Sequence, residues 1–238
     1  MPVFRLPQEH FFPPPTLSES NGLLAIGGDL HPQRLILAYM SGVFPWYSEG
    51  QPILWFSPDP RYVLDPKRFH VGRSLKKKLK KNEFRVTLDS AFEDVIDNCA
   101  KKKRPMQYGT WITADMRQAY LTLHEMGYAH SVEVWREGML VGGLYGVNVG
   151  NLFSGESMFA HQSDASKIGF VWLMSQMMSW GIELCDCQVY TDHLKRFGAE
   201  NIPRDQYLRG IVELVRRDRP PGKWVFDEGF HPLSRLRL

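Results

Sequence analysis

Between Leu140 and Gln188 the chain places two carboxyls and an amide inside segments too apolar to lie at a surface. The run reads as two strands, LVGGLYGV and NLFSGESMF, then a helix opening near Asp164, then a strand, IELCDCQV. Strands this apolar need neighbours that bury them. The middle one nevertheless carries Glu156, and the last carries Asp186 and Gln188. A buried carboxylate is costly unless it is paired or put to use. Side chains alternate along a strand, so Asp186 and Gln188 are expected on one face with Leu184, and Cys185 and Cys187 on the other. That face would offer a base beside a neutral hydrogen-bonding relay.

The elements around this stretch follow from local signals. Pro32 suits the first turn of a helix that buries Leu35, Ala38 and Tyr39 and stops at Gly42. The aromatic, proline-rich ILWFSPDPR suits a strand leaving into a rigid turn. Asp89 or Ser90 is expected to cap a helix through Cys99, Thr113 a second one, and Asp192 a short later one, followed by a helix from Asp205 to Arg216. The segment from Asp164 to Trp180 is apolar nearly all round and must be deeply packed. The order of elements predicts an α+β fold: a small α/β lobe over residues 1–65, then, over 66–238, a mixed sheet with helices on both faces.

Composition sets outer limits. A chain of 238 residues with 43% hydrophobic content buries roughly 70% of its unfolded surface, enough for one good core and a smaller one. No apolar run reaches the roughly 20 residues of a membrane span, and MPVFRLPQEH lacks the pattern of a signal peptide, so a cytoplasmic location is expected. Three cysteines, two of them in a C-x-C, fit neither a disulfide framework nor a zinc spacing, and no metal or cofactor is expected.

Net charge is only +3, but Lys67 to Arg85 holds nine Lys or Arg against the single acid Glu83, and Lys101 to Arg104 adds KKKR. Such a run is either a solvated helix face or a surface that neutralises phosphates, which makes polyanion binding salt-dependent without reading sequence.

The segments NGLLAIGGDL, FPW, ILWFSPDPR, TWIT, AHSVEVW, LVGGLYGV, FSGESMF, ASK, DCQ and HLKRFGAE occur in that order. Together they resemble the bacterial leucyl/phenylalanyl-tRNA-protein transferase family, over about Asn21 to Tyr207. The resemblance implies an acetyltransferase-like (GNAT-like) sheet. It also implies transfer of leucine or phenylalanine from its tRNA to a protein beginning with arginine or lysine, which creates an N-terminal degradation signal. The partners implied are Leu-tRNA, Phe-tRNA and such proteins, with no membrane, and the enzyme is expected to act as a monomer.

By the same resemblance Asp186 and Gln188 sit beside the reacting amine, with Glu156 orienting substrate groups. Trp46 and Trp111 match tryptophans that hold the terminal adenosine. Leu144, Phe153, Met158, Phe170, Leu173 and Cys185 match the lining of the aminoacyl pocket, and Tyr39 and Tyr120 fall near the ribose or carbonyl. Arg73, Lys76, Lys77, Lys78, Lys80 and Lys81 are the candidates for contact with the tRNA backbone. The pattern departs at Phe56, where a second tryptophan is common, and at Leu144, where methionine occurs.

The chemistry is consistent with these residues. Aminolysis of an aminoacyl ester is downhill and needs orientation, removal of a proton from the amine and help for the oxyanion, but no covalent nucleophile. Gln188 has no useful pKa and can only hydrogen-bond. Asp186 could take the proton or stabilise the cationic acceptor, and a tRNA hydroxyl could shuttle the proton instead. An apolar pocket separates side chains differing by one methylene only about 10–200-fold, so leakage toward methionine is expected while β-branched residues are excluded by shape. Two other readings are an acyl-coenzyme A dependent N-acetyltransferase and a non-catalytic RNA-binding module. The first lacks a glycine-rich pyrophosphate cradle in AHQSDASK; the second leaves Glu156, Asp186 and Gln188 idle.

Overall fold

The computed structural model describes residues 3–102 and 110–234, so Lys103 and Arg104 of the second basic run lie outside the described residues. Two mixed sheets organise the chain. The smaller runs β1-β2-β4-β3, from β1 (Phe4–Leu6), β2 (Leu23–Gly27), β3 (Phe44–Pro45) and β4 (Leu54–Phe56), with only the β1–β2 pair parallel. Helix α1 (Pro32–Met40) lies between β2 and β3. It starts on Pro32 and turns Leu35, Ala38 and Tyr39 inward, as its spacing predicts.

The larger sheet contains β5 (Arg61–Leu64), β6 (Arg85–Leu88), β7 (Ala129–Arg136), β8 (Met139–Val149), β9 (Leu152–Ala160), β10 (Leu184–Gln188) and β11 (Glu200–Ile202). Their order is β11-β5-β10-β9-β8-β7-β6, antiparallel except for β9 beside β10. The helices are α2 (Arg73–Lys81), α3 (Phe92–Lys101), α4 (Ala114–Glu125), α5 (Ala165–Trp180), α6 (Asp192–Lys195) and α7 (Arg204–Leu214). Helix α5 packs on β7, β8 and β9 from one face, while α3 packs on the same three strands from the other. Val132, Val134 and Leu144 thus join α5 in one core, and Tyr145 and Val147 join α1, α3 and α4 in a second.

Glycines set the closest approaches. A β-carbon on Gly142 would lie 2.6 Å from that of Ala165, so only glycine lets the first turn of α5 rest on β8. At Gly146 it would meet the Ser154 carbonyl oxygen at 2.3 Å and the Phe153 ring at 2.5 Å.

Several local expectations are overturned. Strand β5, read from sequence as part of the small lobe ending near residue 65, lies inside the large sheet between β10 and β11, because the turn after β4 carries the chain across. Asp89 does not cap α3, whose first turn has no side-chain cap. Its carboxyl is buried, accepting from the amides of Ser131 (2.8 Å) and Trp224 (2.7 Å) and meeting Nδ1 of His130 at 2.8 Å. Thr191, not Asp192, caps α6. Thr113 does cap α4, accepting from the Met116 amide. Strands β1, β6 and β11 are too short to carry a pattern of their own and were not legible. Among the described residues, no helix is long and apolar enough to cross a membrane.

Candidate active site

Strands β9 and β10 pair in parallel only through Leu152–Ser154 and Leu184–Asp186. Beyond that point Gly155, Glu156, Cys187 and Gln188 line a cavity of about 460 Å³. Its floor is apolar, made by Leu144, Phe153, Met158, Phe170, Cys185 and Leu194, and Trp46 and Trp111 stand at its edge. A smaller chamber of about 100 Å³ shares Trp46, Trp111, Glu156, Gln188 and Val189 with it. Trp46 is 44% exposed, although its ring packs edge-on against Phe56 at 5.8 Å. Phe56 therefore supports this tryptophan from behind.

Simple alternation fails at the end of β10. The pairing with β5 is bulged between Asp186 and Gln188, and Gln188 has φ of 63°, left-handed backbone that a residue with a side chain adopts at a cost of about 1–3 kcal/mol. The bulge turns Gln188 toward the cavity together with Cys185 and Cys187, and leaves Asp186 behind the wall. Strain of this kind is retained where a side chain must point against the pleat.

Asp186 is 1% exposed and accepts four hydrogen bonds from three residues. Arg61 of β5 donates Nε to Oδ1 at 2.8 Å and Nη2 to Oδ2 at 2.6 Å, the Tyr207 hydroxyl donates to Oδ2 at 2.8 Å, and the Gln188 amide donates to Oδ1 at 2.9 Å. Burial works against the Arg61 charge, but the adjoining Asp186 outweighs it and holds the guanidinium pKa above its usual value. Arg61 also lies over the rings of Phe44 and Tyr207. Arg61 closes the motif ILWFSPDPR, but nothing in that motif signals the partner of its arginine.

Glu156 is treated differently. Its carboxyl meets the hydroxyls of Tyr39 at 2.9 Å and Tyr120 at 2.9 Å, and accepts from Nε2 of Gln188 at 2.8 Å. Burial pushes its pKa up to about 7 against the pull of these hydrogen bonds, with the Asp186 charge adding to the rise. Burial, and then the neighbouring Glu156, push both tyrosines well above their usual range. Tyr39 and Tyr120 thus stand behind Glu156 and not on the cavity wall, and Leu173 is likewise core. The wall also contains residues that sequence reasoning missed: Lys102, Ser157, Ser166, Val189, Thr191 and His193. His193 is kept neutral, its pKa lowered to about 4 by burial and by Lys167, Lys102 and Arg196. The cavity end at α6 is therefore electropositive.

The basic helix α2 buries Leu75 and Leu79 and turns Arg73, Lys77, Lys80 and Lys81 outward. Lys78 is engaged by Asp164, the residue preceding α5, which also binds Lys167 at 2.5 Å.

Comparison with known proteins decides the family. Residues 63–212 match the family described as leucyl/phenylalanyl-tRNA protein transferase, and residues 28–59 match its N-terminal domain. The chain belongs to this family. The leucyl/phenylalanyl-tRNA–protein transferase of Myxococcus xanthus is 54% identical over 227 residues, covering 94% of this chain and 97% of the relative. That of Stutzerimonas stutzeri is 55% identical over 213 residues, covering 88% and 92%. Among solved structures, a functionally unknown conserved protein from Staphylococcus epidermidis is similar at a TM-score of 0.42 and 10% identity, covering 76% of this chain and 68% of that one.

Proposed function

We propose that this transferase moves leucine or phenylalanine, and methionine less well, from its aminoacyl-tRNA to the N-terminal arginine or lysine of a protein, in the cytoplasm and as a monomer, so marking that protein for degradation. The observation that carries the reading is the cavity itself: a chamber with an apolar floor, with Glu156 and Gln188 hydrogen-bonded together on one wall and two tryptophans at its edge. The chamber suits an apolar side chain that is unbranched at Cβ. Stacking of the terminal adenine on Trp46 and Trp111 brings the ester beside Glu156 and Gln188, where Gln188 orients the amine or polarises the carbonyl. Asp186, turned away from the cavity, is a positioning residue in this reading: its oxygen takes the Gln188 amide and so holds the bulge. The exposed lysines of α2 neutralise the tRNA backbone. The early end of β9–β10 pairing, with a cavity between the diverging strands, also supports an acetyltransferase-like sheet.

Incubation with radiolabelled Leu-tRNA and a protein beginning with arginine tests the proposal. Label should appear at that N-terminus without coenzyme A. Label that requires an acyl-coenzyme A, or tRNA binding without any transfer, would overturn it.

A further inference from the structure

Three oxygen–oxygen contacts close a ring behind the cavity wall: Tyr39 to Tyr120 at 2.5 Å, Tyr39 to Oε1 of Glu156 at 2.9 Å, and Tyr120 to Oε2 of Glu156 at 2.9 Å. Each contact needs one hydrogen between its oxygens, because two bare lone pairs repel at such distances. The phenols supply two hydrogens, and Glu156 as a carboxylate supplies none. If both phenols donate to a carboxylate, the 2.5 Å contact between them is empty; if one phenol donates to the other, a contact to Glu156 is empty. The Gln188 amide does not help, since it serves Oε1 from outside the ring. The third hydrogen belongs on the carboxyl, and because Oε1 already accepts from Gln188, it belongs on Oε2. The ring then runs in one sense, from Oε2 to Tyr120, from Tyr120 to Tyr39, and from Tyr39 to Oε1.

We infer that Glu156 rests as a neutral carboxylic acid and is the proton donor to the departing ribose oxygen of the donor ester, a catalytic role that rests on the transfer reaction proposed above. The neutral acceptor nitrogen attacks the ester carbon and a C–N bond forms. The bond from that carbon to the ribose oxygen breaks, and the oxygen takes the Glu156 proton, for which the hydroxyl on Oε2 turns out of its contact with Tyr120 toward the cavity that Glu156 lines. The carboxylate left behind recovers a proton from the new amide nitrogen, so no proton is gained or lost over the cycle. The ring suits this exchange. When Oε2 gives up its proton, Tyr120 reverses its hydroxyl and both phenols donate to the carboxylate that forms, a short-lived state whose empty Tyr39–Tyr120 contact favours return of the proton.

The surroundings favour the neutral resting acid. Tyr39 faces it from α1, Tyr120 from α4 and Gln188 from β10, with the Asp186 charge behind Gln188 and Tyr145 of β8 beside the tyrosines. Lys102, His193 and Cys187 stand elsewhere on the cavity wall. Burial places the acid's pKa at about 7, in the range where a group both gives and takes protons.

Two measurements test this. In infrared difference spectra of the free protein, the carbonyl stretch of a protonated carboxyl should be present at mildly acid pH, disappear as pH rises through about 7, and be missing from Glu156→Gln but retained in Asp186→Asn. Absence of the band from the wild type overturns the inference whatever the activity. The second measurement is single-turnover transfer from a leucyl ester of adenosine and from its 3′-thioester analogue, whose thiolate leaves without a proton. Glu156→Gln should slow the oxygen ester about 10²–10³-fold and the thioester only several-fold. Equal losses on both donors make Glu156 a positioning group and overturn the donor role. Failure of the wild type to transfer from either ester would sink the proposed function instead.

Discussion

Two carboxyls stand on neighbouring strands at the same split in the sheet, and the protein handles them oppositely. Asp186 on β10 is enclosed by Arg61, Tyr207 and a backbone amide. Glu156 on β9 faces a cavity, and among the described residues its hydrogen-bonding partners are two phenols and an amide, none of them cationic. An ion pair holds a charge in place, whereas neutral donors hold a carboxyl whose charge can change. In the function proposed above, Asp186 belongs to the architecture of the site and Glu156 to its chemistry, with Gln188 joining the two through its backbone on one side and its side chain on the other.

The contrast predicts where substitutions hurt stability. Arg61→Ala leaves Asp186 buried without its cation and should destabilise the fold by about 3–5 kcal/mol in urea unfolding, whereas Glu156→Gln should cost far less. Equal costs would erase the distinction.

The second way to sharpen it is pH. Glu156 has a folded pKa of about 7 against a usual value of 4.5, so between these values the folded protein binds more protons than the unfolded chain, and stability falls as pH rises. Above about 7 the loss is complete, and below about 4.5 it vanishes. Relative to Glu156→Gln, which does not titrate, the wild type should lose on the order of 3 kcal/mol across that window. Parallel stability curves for the two proteins would show that Glu156 is not held neutral.

The open side of the comparison extends to the tryptophans. Trp46→Ala and Trp111→Ala should each weaken donor use by about 1–3 kcal/mol if adenine stacks there, with unfolding midpoints nearly unchanged for the exposed Trp46. A strongly lowered melt with donor affinity intact would move them to the architectural side.

The smallest effect concerns α2. Lys77→Ala with Lys80→Ala should lower the salt dependence of tRNA binding by a slope of about 2, while Lys78→Ala, already satisfied by Asp164, should change it less. A larger change from Lys78 would mean that its ion pair opens on binding.

Much of this was legible in the chain. The apolar run from Leu140 to Gln188 demanded a buried strand set, and the burial of polar groups within it marked Glu156, Asp186 and Gln188. Strong local signals such as Pro32 and Thr113 predicted helix starts that the fold retains. The ordered motifs from NGLLAIGGDL to HLKRFGAE pointed to the family. What sequence could not determine was which acid is paired. Arg61 and Asp186 are 125 positions apart, and Tyr39 and Glu156 are 117 apart, so nothing local records either contact. The bulge moved Gln188 from the expected face of Asp186 to that of Cys185 and Cys187, because period-two alternation holds only while the ladder is regular. Tertiary structure alone sent Arg61 across to the large sheet and closed two tyrosines from separate helices onto Glu156, because those positions are set by packing between distant segments and not by any preference of the residues themselves.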